Sequence, residues 1–178
     1  MSETRGAIFL DRDGVLNKDI GYLHRPEDLA WIDGAPEAVR LINAAGLFAV
    51  VVTNQSGVAR GYYSEADIER LHAHMARELE ARGARVDAFY TCPYHSEGAD
   101  PRYIHPDHPD RKPNPGMLLR AMADFPIDPA RSLIIGDKDS DIEAGRRAGV
   151  RGALFKAGSL EAFVRAILNA GAATEVRT

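Results

Sequence analysis

The chain has 178 residues, of which 45% are hydrophobic and 27% charged, with a formal net charge of −4. Length and balance fit one globular domain with its own core, expected to span 1–178. The acidic excess argues against a nucleic-acid binder, which normally carries a basic face. One cysteine, Cys92, cannot form an intramolecular disulfide. The opening "MSETRG" lacks the apolar segment of a signal peptide, and no apolar run reaches membrane-span length. A cytoplasmic, monomeric enzyme or binding protein is the expectation.

Short apolar runs then alternate with helical patterns. "AIFL" (7–10) reads as a buried strand. "PEAVRLINAAG" (36–46) reads as a helix, with Pro36 in its first turn and Gly46 as its stop. The β-branched "LFAVVVTN" (47–54) reads as a second strand. The segment 64–83 is a long amphipathic helix: Ser64 is its N-cap, and Ile68, Leu71, Met75 and Leu79 share a face. "DAFYTC" (87–92), "SLIIGD" (132–137) and "GALF" (152–155) are further strands. Helices are expected over 116–125, 140–149 and 159–170. This order predicts an α/β fold, a doubly wound parallel sheet with helices on both faces. Two stretches stay irregular, 17–34 and the Pro- and His-rich 92–115, and irregular loops of that length often carry function.

In an open parallel sheet, ligands bind beyond the carboxyl ends of the strands. The first strand is followed there by Asp11 and Asp13, and the second ends in Thr53 and Asn54. The third leads into a loop containing Arg111 and Lys112, and the fourth ends in Gly136 and Asp137. Carboxylates suit a hard divalent cation, and a lysine and a hydroxyl suit phosphate oxygens. Together they fit phosphoryl transfer, in which positioning and charge neutralisation do most of the catalysis. An aspartate can also attack phosphorus and form an aspartyl-phosphate. Taken alone, each piece has a plainer reading. Loop aspartates make turns, and "GDKDSD" could be a helix start capped by Asp139 or Ser140.

Taken in order, "FLDRDGVLN", "VVTNQSG", "RKPNPGM" and "IIGDKDSDIEAG" resemble the haloacid dehalogenase (HAD) superfamily of phosphatases. Within it, "DRDGVLN", "TNQSGVARGYYSE" and "RKPNPGM" are most similar to the D,D-heptose 1,7-bisphosphate phosphatases. The histidinol-phosphate phosphatases share much of the pattern. The resemblance implies a Mg²⁺-dependent hydrolase of a small sugar bisphosphate. The acidic balance and the lack of an apolar span add the expectation of no nucleic-acid or membrane partner, and the short segments between motifs that of no large cap domain. The resemblance makes Asp11 the nucleophile and Asp13 the acid and then the base. Thr53 and Lys112 would bind the phosphoryl group. Asp11, the backbone carbonyl of Asp13, and Asp137 would hold Mg²⁺. Arg111 would recognise substrate. Asp19, Ile20, Gly21 and Tyr22, with Asn54, Gln55 and Ser56, would line the sugar side, and Lys138 would also touch substrate.

The family's zinc loop, C-x-H followed by C-x-C before R-K-P, is altered here to "CPYHSEGADPRYIHPDHPDRKP". Cys92 matches, Tyr94 takes the histidine position, and His108 and Asp110 take the two cysteine positions. Cys92, His95, His105 and His108 could rebuild a Zn²⁺ site. The alternative is a loop without zinc, stiffened by its prolines. The unfamiliar spacing favours the second. A histidinol-phosphate phosphatase is the main alternative function. A receiver-type phosphoacceptor domain is the alternative from another class, although its aspartate does not sit beside the first acidic pair.

Overall fold

A computed structural model describes residues 4–175, with side chains described as far as Gly171. Met1 to Glu3 of the opening stretch and residues 176–178 lie outside the described residues. The elements alternate as the sequence predicts: β1 (Ala7–Leu10), α1 (Ala35–Ala44), β2 (Phe48–Asn54), α2 (Glu65–Ala81), β3 (Ala88–Cys92), α3 (Gly116–Asp124), β4 (Leu133–Gly136), α4 (Asp139–Arg147), β5 (Arg151–Leu154) and α5 (Leu160–Glu175). The strands form one five-stranded sheet in the order β3-β2-β1-β4-β5, and every pairing is parallel.

β1 is central and buried at every position. Its period of two sends side chains to opposite faces. Ile8 and Leu10 join a core with Leu71 and Met75 of α2, Val39 and Ile42 of α1, and Leu160 and Val164 of α5. Ala7 and Phe9 join a second core with Met117 and Leu118 of α3 and Ala144 of α4. A strand packed on both faces reads as continuous apolar sequence, which is why "AIFL" shows no alternation. β2 lies on one side of β1 and β4 on the other, so the strand order reverses there. That reversal opens a crevice beyond the carboxyl end of β1, where ligands bind in such sheets.

Several boundaries differ from the sequence expectation for local reasons. Lys138, not Asp139 or Ser140, occupies the N-cap position of α4. The Asp141 carboxylate accepts its backbone N–H at 3.1 Å. α5 continues past Ala170 to Glu175, because the alanines after Gly171 have high helix propensity. Ser64 caps α2 as expected, and its hydroxyl pairs reciprocally with Asp67. The irregular stretches contain short 3-10 turns, at Pro26–Asp28 and Pro101–Tyr103, and isolated bridges between Asn17 and Trp31 and between His95 and Ile104. No helix among the described residues is long and apolar enough to cross a membrane.

Candidate active site

The site begins where β1 runs out. The Asp11 N–H donates to the carbonyl of Ile135 at 3.0 Å, which prolongs the ladder with β4 by one bond. That bond fixes the Asp11 backbone at the sheet's rim. The Asp11 side chain accepts the Arg12 N–H at 2.8 Å and the Lys112 ammonium at 3.0 Å. Lys112 also donates to the Val52 carbonyl at 2.7 Å and pairs with Asp141 Oδ1 at 2.6 Å. Asn54 clamps the Lys112 backbone from both sides, at 3.1 Å each. The ends of β1 and β2, the loop before α3 and the first turn of α4 thus meet at one buried ammonium.

The electrostatics follow from that burial. Desolvation pushes the Asp11 carboxyl up to about 7, with Lys112 opposing and Asp141 reinforcing the rise. Burial works against the charge on Lys112, but Asp11 and Asp141 outweigh it and hold the ammonium protonated. Carboxylate oxygens of Asp11, Asp137 and Asp141 lie within 4.8 Å of one another. Asp137 Oδ1 is buried without a hydrogen-bond partner, a costly state for an acceptor unless something else satisfies it. Three clustered carboxylates, two of them paired with one ammonium and the third with an orphaned oxygen, fit a hard divalent cation such as Mg²⁺. Two glycines make this crowding possible. A side chain at Gly14 would run into the Asp137 carboxylate, and one at Gly136 into Asp141. Gly14 also has a φ of 85°, a conformation that only glycine adopts cheaply.

Asp13 has a different surround. Its oxygens accept from Asn17 Nδ2 at 2.9 Å, Gln55 Nε2 at 2.9 Å and the Arg12 guanidinium at 3.1–3.2 Å. Its carboxylate is not among the three clustered ones, so the metal role expected of Asp13 rests on its backbone carbonyl. Thr53 is 1% exposed. Its oxygen accepts from Gln55 Nε2 at 2.8 Å, so its own O–H remains a donor. Gln55 is 2% exposed and accepts from the Tyr63 hydroxyl at 2.8 Å. Expected on the sugar side, Gln55 instead spends its amide fastening Asp13 and Thr53.

A cavity of about 50 Å³ opens onto this group, lined by Asp11, Asp13, Asn54, Lys112, Lys138, Ser140 and Asp141. It has room for a few water-sized groups, the size of a phosphoryl head and not of a sugar. Of the remaining expected residues, Ile20 and Tyr22 are exposed, on a turn closed by the Gly21 N–H donating to Asp19 at 3.0 Å. Ser56 closes a turn with Arg60. Arg111 is half-buried and donates to the Tyr94 carbonyl at 3.2 Å; it meets no carboxylate among the described residues.

The four zinc candidates do not form a cluster of ligand atoms among the described residues. Cys92 is buried beside the Tyr94 carbonyl, and burial pushes its thiol up to about 11. The His108 ring stacks on Tyr94 with centroids 3.9 Å apart, and His105 meets His108 edge-on at 5.0 Å. His95, His105 and His108 each accept, through Nδ1, the backbone N–H two residues on. Ring stacking and local turns thus hold the segment.

Sequence reasoning assigns no role in the chemistry to Asp141, Arg12 or Ser140. Asp141 has a usable signal: it lies four residues after Asp137 across a helix start, which puts both carboxylates at one rim. Arg12 has none beyond its place between two aspartates.

A family model described as "HAD-hyrolase-like" matches residues 110–173. The D-glycero-beta-D-manno-heptose-1,7-bisphosphate 7-phosphatase of Rhodopseudomonas palustris is 45% identical over 165 residues, covering 92% of this chain and 91% of that protein. The D-glycero-alpha-D-manno-heptose-1,7-bisphosphate 7-phosphatase of Burkholderia mallei is 48% identical over 144 residues, 81% of this chain and 76% of that protein. The crystal structure of D,D-heptose 1,7-bisphosphate phosphatase from B. bronchiseptica, complexed with magnesium and phosphate, superposes with a TM-score of 0.73 at 28% identity, over 92% of this chain and 98% of that one. Such identity, over 92% of the chain and 91% of its relative, places the chain in the HAD superfamily of phosphatases, in the family of the D-glycero-D-manno-heptose-1,7-bisphosphate 7-phosphatases.

Proposed function

We propose that this chain removes the C7 phosphate of a D-glycero-D-manno-heptose 1,7-bisphosphate through an aspartyl-phosphate on Asp11. The observation that carries this reading is the rigid pairing of Asp11 with Lys112 at 3.0 Å in a cavity sized for a phosphoryl group. That pairing occurs in a chain 45% identical to a protein named for this reaction.

The first half-reaction is an attack by an Asp11 oxygen on phosphorus. The bond from phosphorus to the C7 oxygen breaks, and Asp13 delivers the proton that the leaving oxygen needs. In the second half, water attacks the same phosphorus and Asp13 takes its proton. The bond to Asp11 breaks, releasing inorganic phosphate. Lys112 and the Thr53 hydroxyl orient the phosphoryl oxygens and offset their charge. Asp11, Asp137 and Asp141, with the Asp13 carbonyl, would hold Mg²⁺, which when bound neutralises phosphoryl charge and keeps Asp11 ionised.

A sugar would lie outside this cavity, with residues 19–22 and Arg111 as its expected contacts. The Arg111 guanidinium, which meets no carboxylate among the described residues, suits with Lys138 at the rim a second phosphate on the same substrate. The test is phosphate release with Mg²⁺ from both anomers of heptose 1,7-bisphosphate, with histidinol phosphate and simple monophosphates as comparators. The reading predicts a kcat/KM at least about 100-fold higher for a heptose bisphosphate, the discrimination expected when a built polar site goes unfilled. Equal kcat/KM for all of them would overturn it.

A further inference from the structure

Arg12 is the largest fully buried side chain, at 0% exposure, and the mechanism above does not use it. Burying a guanidinium is costly, and replacing a buried ion pair with apolar packing is often neutral or stabilising. Its contacts are therefore more informative than its stability contribution. Nε and Nη2 reach Asp13 Oδ1 at 3.2 and 3.1 Å, and Nη2 also reaches Oδ2 at 3.1 Å. Nη2 donates to the Leu23 carbonyl at 2.8 Å, and Nη1 lies 3.3 Å from Nε2 of His72.

His72 interrupts the apolar stripe of α2. Burial, and then Arg12, pull its pKa down to about 3, so the ring is neutral. Facing a guanidinium, which has no acceptor, Nε2 must be the lone-pair nitrogen. The ring is stacked on Phe89 with centroids 4.5 Å apart. Thus α2 and β3 fix His72, His72 fixes the fork of Arg12, and the fork meets Asp13.

We infer that Arg12, held by His72, is a positioning residue that sets where the Asp13 carboxyl stands relative to the leaving oxygen and the attacking water. This rests on the acid–base role proposed for Asp13. A planar fork with its far end anchored restricts both rotation and tilt of the group it grips, which a lysine at the same place cannot do. Proton transfer is sensitive to such placement: displacements of about 1 Å can cost on the order of 100-fold.

The experiment uses three variants. Arg12→Lys keeps a cation and loses the fork. His72→Phe keeps the stacking and removes the acceptor. His72→Gln returns an acceptor oxygen. A cavity of about 320 Å³ borders His72, so these His72 side chains have room. Each variant is measured for melting temperature and for kcat and KM on aryl and alkyl phosphates of graded leaving-group pKa. Asp13→Asn serves as the control.

Arg12→Lys and His72→Phe should lower kcat on alkyl phosphates by about tenfold or more. KM should stay within about twofold, the loss should shrink as the leaving group improves, and His72→Gln should recover most of it. A loss uniform across leaving groups, or one that follows melting temperature alone, would overturn the inference. If Asp13→Asn itself lacks leaving-group dependence, the role given to Asp13 fails instead. If only the control shows it, the positioning role alone fails.

Discussion

The acidic rim at the end of β1 and the loop of residues 93–111 that leads into Lys112 are held together by different physics. At the rim, buried charges neutralise one another at fixed distances: Lys112 stands between Asp11 and Asp141, with the orphaned Asp137 oxygen close by. In the loop, rings stack and histidines close turns on their own backbone. A site of paired charges tolerates little substitution, because removing one partner strands the other. A stack of rings tolerates many, because each contact is worth little and has no fixed partner. The rim should therefore tolerate far fewer substitutions than the loop.

The sharpest break in this comparison is Asp11→Asn. It should abolish phosphate release, by about 10⁴-fold or more, as for other lost nucleophiles, with the fold intact by circular dichroism. Retained turnover would contradict the nucleophile assignment. Asp141→Ala comes next. Stranding part of the Lys112 charge should cost about 3 kcal/mol, and the melting temperature should fall by roughly 6–12 °C for a chain of this size. An unchanged melting temperature would mean the rim is no more tightly coupled than the loop.

The pH dependence of the metal-stripped protein tests the same coupling. The folded Asp11 pKa, about 7, lies above its ordinary value of 3.8, so between those values the folded state binds more protons than the unfolded one. The contribution of Asp11 protonation to stability is then fully present below about pH 4 and declines as pH rises toward 7, so it is read as the difference between the native protein and Asp11→Asn. The loss should be seen as a fall in the denaturation midpoint, relative to that variant, over that window. Added Mg²⁺ should restore stability by binding the ionised form. Denaturant unfolding of both proteins at several pH values, with and without Mg²⁺, decides it; a difference that rises over that window without metal would contradict this picture.

The smallest effect belongs to the loop. His108→Ala should cost about 1 kcal/mol, the worth of one aromatic stack, seen as a fall of roughly 2–4 °C. The KM for a bisphosphate should rise more than kcat falls, since Tyr94 carries the carbonyl that Arg111 grips. Elemental analysis of protein purified without a histidine tag should find zinc below stoichiometry. Stoichiometric zinc would make the loop a metal site and remove the contrast with the rim.

What is legible in the sequence follows the same division. "AIFL" and "VVVTN" declare buried strands because both their faces are covered, and the order of elements then implies the parallel sheet and its rim. Asp11, Asp13, Lys112 and Asp137 can be read because each follows a strand at a motif of fixed type. Gln55 is expected on the sugar side from sequence, and its contacts to Asp13, Thr53 and Tyr63 are not foreseeable there. It is polar and next to Asn54, but only the packing of Tyr63 turns its amide inward. Arg12 and His72 are invisible for a similar reason: a buried guanidinium on a buried imidazole is a long-range contact, from just beyond β1 to α2, that no local pattern encodes. The loop declares its residues but not its stacking, since ring contacts depend on the path of a chain with few regular hydrogen bonds.

The central claim is that the carboxylate at the end of β1 attacks phosphorus. Quenching turnover with borohydride, which reduces an acyl phosphate to an alcohol, and locating the reduced residue by peptide mass spectrometry tests it directly. The account predicts homoserine at position 11 of active enzyme given substrate and Mg²⁺, and none without substrate. Full turnover with no reduction at position 11, or reduction at any other carboxylate, would contradict it.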